Sequence, residues 1–174
     1  MTLMNSKFPG LISFMCWVMY DSKANGEFHS NESKAMDEYK LDGGTKGQII
    51  RVGEVHGKPQ AREEARKLFA DHLLRPFLEI WTAAVESSVS YPSAKPGWLS
   101  FMYYVRYDKE TNLEFRNKPK DVMARFGIAD PAAISKIEQI AKNPQGQGAE
   151  GAARAIFTDY IVDELLRATV PRFW

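Results

Sequence analysis

The sequence predicts an all-α chain built as a tandem duplication of a helical repeat of about 87 residues, and two observations carry that reading. The first is self-similarity. Residues 9–28, PGLISFMCWVMYDSKANGEF, and residues 96–115, PGWLSFMYYVRYDKETNLEF, are identical at eleven of twenty positions at an offset of 87. Average composition would give about one match. The identities are Pro9/Pro96, Gly10/Gly97, Ser13/Ser100, Phe14/Phe101, Met15/Met102, Val18/Val105, Tyr20/Tyr107, Asp21/Asp108, Asn25/Asn112, Glu27/Glu114 and Phe28/Phe115. The second observation is a set of segments with helix start and stop signals, taken in order below. Together they divide the chain into repeats 1–87 and 88–174, expected to share one fold about an approximate two-fold axis and to close into one compact pseudo-dimer.

The repeated opening segment admits two readings. Around Val105–Phe115, aromatic and β-branched arms flank a polar turn, as in a β-hairpin, and Asn25-Gly26 suits a type I′ turn. A helix accounts equally well for the nearly unbroken apolar run 98–105. A hairpin there would make the class α+β. The following segments are less ambiguous. Gly43-Gly44-Thr45-Lys46-Gly47 lacks phosphate-loop spacing and reads as a flexible loop. Gln60–Ala84 reads as a long helix with Leu68, Phe69, Leu73, Leu74, Phe77, Leu78 and Trp81 on its apolar side, kinked or broken at Pro76. Lys120–Phe126 follows Pro119 and stops at Gly127. Asp130-Pro131 caps a helix over Ala132–Lys142. Gly148–Ala168 reads as the last helix. Its start, 149–162, matches 61–74 at an offset of 88, with Ala61/Ala149, Ala65/Ala153, Arg66/Arg154, Phe69/Phe157 and Asp71/Asp159 identical. The expectation is about four helices per half. Their shared core would include Phe14, Phe28, Phe69, Phe101, Phe115 and Phe157.

Composition narrows the function classes. The chain has 174 residues, 44% hydrophobic and 26% charged, with a formal net charge of +1. It lacks the basic footprint of a nucleic-acid binder. The apolar run Phe8–Tyr20, preceded by Lys7, is too short to span a bilayer, and its recurrence in mid-chain argues against a targeting peptide. With Cys16 as the single cysteine no intrachain disulfide forms, so a cytoplasmic home is expected. The sequence names no cofactor.

Candidate chemistry is sparse. His29, His56 and His72 make no metal-ligand spacing, and His56 with Glu54, Glu63 and His72 would need the fold to gather them. Asp21 and Asp108, with Tyr20 and Tyr107, are the weak catalytic candidates: paired carboxylates and phenols that could face each other between the repeats. The competing reading makes the acids helix caps and the tyrosines core aromatics. Cys16, opposite Tyr103, reads as a buried thiol. At the C-terminus, Arg172, Phe173 and Trp174, together with Trp81, are the candidate partner-binding residues, since Trp and Arg anchor interfaces. Removal of the tail Val170–Trp174 is expected to leave the fold intact.

The stretch Phe101–Ile128, FMYYVRYDKETNLEFRNKPKDVMARFGI, resembles the small helical domain of the alpha subunit of protocatechuate-type extradiol dioxygenases. The same module is the recognition domain of some ribosomal peptide precursors, notably the split borosins. Phe115-Arg116, Pro119, Val122-Met123, Gly127 and Ile128 carry the likeness, with Ile134 and Ile137 following, over about a quarter of the chain. The resemblance implies an all-helical structure, which favours the helix over the hairpin. It also implies a non-catalytic role: docking onto a partner enzyme as a subunit or recognition domain. An enzyme with an acidic and tyrosine site between the repeats, and an assembly protein with an oligomer as its product, are the alternatives.

Overall fold

The computed structural model describes residues 8–89, 95–169 and 172–174. Lys7, Val170, Pro171 and the centre of the inter-repeat linker lie outside the described residues. All regular structure among the described residues is helical, so the α+β alternative falls away. The first half runs α1 (Leu11–Tyr20), α2 (Ser22–Ser30), α3 (Glu32–Glu38), α4 (Gly43–Val55), α5 (Ala61–Leu68), a π-helical turn at Phe69–Leu73, and α6 (Leu74–Leu78). The second half repeats that order: α7 (Trp98–Tyr107), α8 (Lys109–Asn117), α9 (Pro119–Arg125), α10 (Pro131–Lys142), α11 (Gln147–Ile156), a π-helical turn at Phe157–Ile161, and α12 (Val162–Leu165).

Several boundaries differ from expectation, each for a local reason. The opening segment is two helices rather than one. Asp21 and Asp108 are extended, with φ near −106° and −102°, and each caps the helix that follows by accepting the Ala24 or Thr111 backbone N–H. A short acid that can satisfy a free helix N–H competes with helix continuation at its own position. Each half therefore has more than four helices. Gly43–Gly47 is not a loop: it opens α4, because Asp42 accepts the Thr45 N–H at 2.8 Å and supplies the cap. The expected long helix 60–84 is interrupted ahead of Pro76 by a π turn and ends in a 3-10 turn at Glu79–Trp81. Proline is not the general cause, since the second half makes the same π turn with Glu164 opposite Pro76. Likewise, the last helix stops at Leu165 rather than Ala168. Where α9 ends, Gly127 takes φ 75°, and its counterpart Lys40 takes φ 54°, a left-handed position that costs a non-glycine residue about 1 kcal/mol.

α1 and α7 are buried on every side, as helices that are apolar all round must be. They pack against each other, and one continuous core joins the two halves. All six matched phenylalanines are buried. Phe14 meets Phe28 edge-on at 5.4 Å, and Phe101 meets Phe115 the same way at 5.4 Å. Between the halves Phe69 stacks on Phe157 at 5.0 Å. No helix among the described residues is long and apolar enough to cross a membrane.

Candidate functional site

The seam between α1 and α7 gathers most of the residues that the two halves share. Gly10 and Gly97 start the two helices with φ of 115° and 132°, and their N–H groups donate to the Tyr39 and Phe126 carbonyls at 2.9 and 2.8 Å. Across the seam the tyrosines lock reciprocally. The Tyr20 hydroxyl reaches the Pro96 carbonyl at 3.2 Å, and the Tyr107 hydroxyl donates to the Pro9 carbonyl at 3.1 Å. A Cβ at Gly97 would lie 2.5 Å from the Tyr20 hydroxyl, so glycine is required there by close approach as well as by φ.

The second half adds a buried carboxylate to this lock. Glu164 of α12 accepts the Tyr20 hydroxyl at 2.6 Å, the Trp98 N–H at 2.6 Å and the Leu99 N–H at 3.3 Å. It thereby satisfies free donors at the α7 N-terminus, where the helix dipole favours an anion. Burial, reinforced by Glu164, pushes the Tyr20 hydroxyl well above the usual tyrosine range. Burial pushes Tyr107 up to about 12, with Arg106 opposing. Burial and then Glu164 push the Cys16 thiol far up, so it is a poor thiolate. The space between the helices beside Cys16, Trp17 and Tyr103 is about 10 Å³, room for about one water. These groups hold protons firmly and bind the halves together. They are built for locking rather than for proton transfer near neutral pH.

The acidic candidates act locally. Asp21 is the α2 cap, while Asp108 accepts the Thr111 N–H at 3.0 Å, the Thr111 hydroxyl at 2.6 Å and the Val89 N–H at 2.9 Å. The shared asparagines have a more specific task. Asn25 donates to the Val18 carbonyl at 2.9 Å and to the Arg172 carbonyl at 2.8 Å. Asn112 donates to the Val105 carbonyl at 2.8 Å and to the Ile80 carbonyl at 3.2 Å. The residue after each outer acceptor is an aromatic plug. Phe173 packs against Phe14 and Phe28 at 5.6 and 5.3 Å, and Trp81 packs against Phe115 at 5.4 Å. Both rings are buried, so the structure places these two partner-binding candidates inside the chain. The expectation that the tail is dispensable for folding is corrected accordingly, because Phe173 is core. Arg172 is exposed, and Trp174 is half-buried against Phe173.

Trp174 also forms part of an open cleft of about 520 Å³ with Ile50 and the polar side chains of His29, Glu32, Glu54 and His56. Of the four residues weighed for a metal, His56 and Glu54 meet in this cleft. His72 instead sits 3.1 Å from the Thr45 hydroxyl. No cluster of three or more metal-ligating side chains occurs among the described residues. Sequence reasoning missed Glu164, which no repeat signal marks because Pro76 stands opposite it. It also missed the plug role of the asparagines, although their identity between repeats was the available signal. Comparison with protein-family models, curated proteins and solved structures finds no match to this chain.

Proposed function

We propose that this chain is a non-catalytic helical binding protein that docks onto a partner enzyme, as an accessory subunit or recognition domain. One observation carries the reading: six polar residues common to the opening segments of the two halves spend their hydrogen bonds on the chain's own backbone and seam. Asp21 and Asp108 cap helices, Asn25 and Asn112 hold the plug carbonyls, and Tyr20 and Tyr107 close the seam. A segment used in this way is a scaffold, and it leaves contacts with other molecules to surfaces outside the two opening segments. The Trp174 cleft suits a loop or helix of the partner enzyme, with Ile50 and Trp174 as apolar floor and His29, Glu32, Glu54 and His56 as polar rim. A cytoplasmic home goes with this reading, since the lone buried Cys16 is kept as a free thiol.

Affinity purification of the full chain from its native source, with mass spectrometry of the co-purifying proteins, tests the proposal. One enzyme in stoichiometric amount is expected, and Trp174→Ala or Ile50→Glu should deplete it while far-UV circular dichroism stays unchanged. Turnover of a small molecule by the purified chain alone, abolished by Asp21→Asn or Asp108→Asn in folded protein, would establish the enzyme reading instead.

A further inference from the structure

We infer that Arg66 and Arg154 form a two-pronged site for a small dianion, a phosphate or a short dicarboxylate, over the stacked Phe69–Phe157 pair. The site is separate from the Trp174 cleft and does not depend on the docking reading. A cavity of about 210 Å³ is lined by Arg66, Phe69, Ala70, Arg154, Phe157 and Thr158. Every lining position pairs with another at the offset of 88: arginine with arginine, phenylalanine with phenylalanine, Ala70 with Thr158. Each half thus contributes one arginine and one phenylalanine to the lining of the same hollow. Guanidinium forks suit oxyanions, and one from each side can neutralise both charges of a dianion.

Three features point to a ligand rather than to surface decoration. The arginines' ion pairs among the described residues are long, 3.5 Å from Arg66 to Glu63 and 3.8 Å from Arg154 to Glu150, and all four side chains are largely exposed. Such pairs contribute little and are readily exchanged. The Arg66 Nε is buried and has no acceptor among the described residues. Finally, the π turns of both halves begin at the two floor residues, Phe69 and Phe157, and π turns inside α-helices gather at functional sites. Arg62, outside the lining, holds the lining residue Thr158 by donating to its carbonyl at 3.2 Å while pairing with Asp163. The hollow admits a small anion and is too small for a typical drug-sized ligand.

Isothermal titration and arginine Nε–H NMR with inorganic phosphate and with succinate, against a chloride control at matched ionic strength, test the site. Saturable binding of at least one dianion is expected, with shifts at both Arg66 and Arg154. Arg66→Gln and Arg154→Gln should each weaken it about tenfold or more, and the double variant should abolish it. Arg51→Gln, on α4, should leave it unchanged. The substituted side chains are largely exposed, so the variants should fold as the wild type does, which circular dichroism checks. Absence of saturable binding of either dianion, or binding undiminished in the double variant, would overturn the inference.

Discussion

The two halves seat the same kind of aromatic plug in the same kind of socket, but they reach it by different routes. In the first half the socket made by Phe14 and Phe28 is filled by Phe173, which lies beyond α12. In the second half Phe115 is covered by Trp81, which arrives from the 3-10 turn after α6. In both, an asparagine of the following helix clasps the carbonyl just before the plug. The plugs are not at equivalent repeat positions: at the offset of 88, Trp81 falls opposite Thr169. Each half is therefore closed by a piece of chain that follows the other half's helices. The socket is repeated and the plug is improvised, so the packing requirement, not the sequence offset, selected the ring.

The largest effect should come from removing a plug. Trp81→Ala and Phe173→Ala should each cost about 3–5 kcal/mol in urea unfolding, since each leaves a cavity in a closed core. Equal losses would mean the two sockets are energetically alike. A loss near zero for Phe173→Ala would show that the chain end adds no stability and would break the comparison. Asn112→Ala should cost more than Asn25→Ala, because Asn112 is buried and Asn25 is half-exposed.

The N-termini of α1 and α7 make a second comparison, with a smaller expected difference. α7 has Glu164 on its free N–H groups, whereas at the offset of 88 Pro76 stands opposite Glu164, and the start of α1 has the Tyr107 hydroxyl beside Gly10. Glu164→Ala should cost about 2–3 kcal/mol, the penalty for leaving buried donors unmade. Glu164→Gln keeps an acceptor and should cost less. If Glu164→Ala proved neutral, the two helix starts would be equivalent after all.

The smallest effect at neutral pH, and one confined to alkali, comes from the seam tyrosines. Tyr20, Tyr39, Tyr103, Tyr104 and Tyr107 are all held above the ordinary value of 10.0, chiefly by burial, with Tyr104 and Tyr107 near 12. The folded state thus retains phenolic protons that the unfolded chain would lose. Their contribution is fully present below about pH 10 and is lost as the pH rises above it. Stability should be flat with respect to these groups up to that point and then fall, with the tyrosinate absorbance of these five appearing only as the fold opens. Tyr20→Phe should reduce the alkaline loss. Ordinary midpoints for more than two of the seven tyrosines in folded protein would contradict the buried seam.

Much of this was legible before folding. Eleven identities in twenty positions marked Phe14, Phe28, Phe101 and Phe115 as core, because shared packing demands matched rings. Asp130-Pro131 announced α10, since cap and proline chemistry is local. Asp21 and Asp108 were legible as helix caps, and the structure bears that reading out; what the sequence left open was the helix break at each of them. The π turns left no sequence signature, because they depend on how Phe69 and Phe157 meet.

The sequence alone pointed to a repeat, to the capped helices outside the opening segments and to the buried aromatic pairs, because these follow from self-similarity and from side-chain chemistry within a few turns of chain. Only the tertiary structure decided that Glu164 caps α7, that Trp81 and Phe173 are plugs, and that Arg66 and Arg154 share one hollow. Those partners lie 32 to 159 residues apart along the chain. Contacts of that kind exist only after both halves have packed around one core, so no local pattern can encode them.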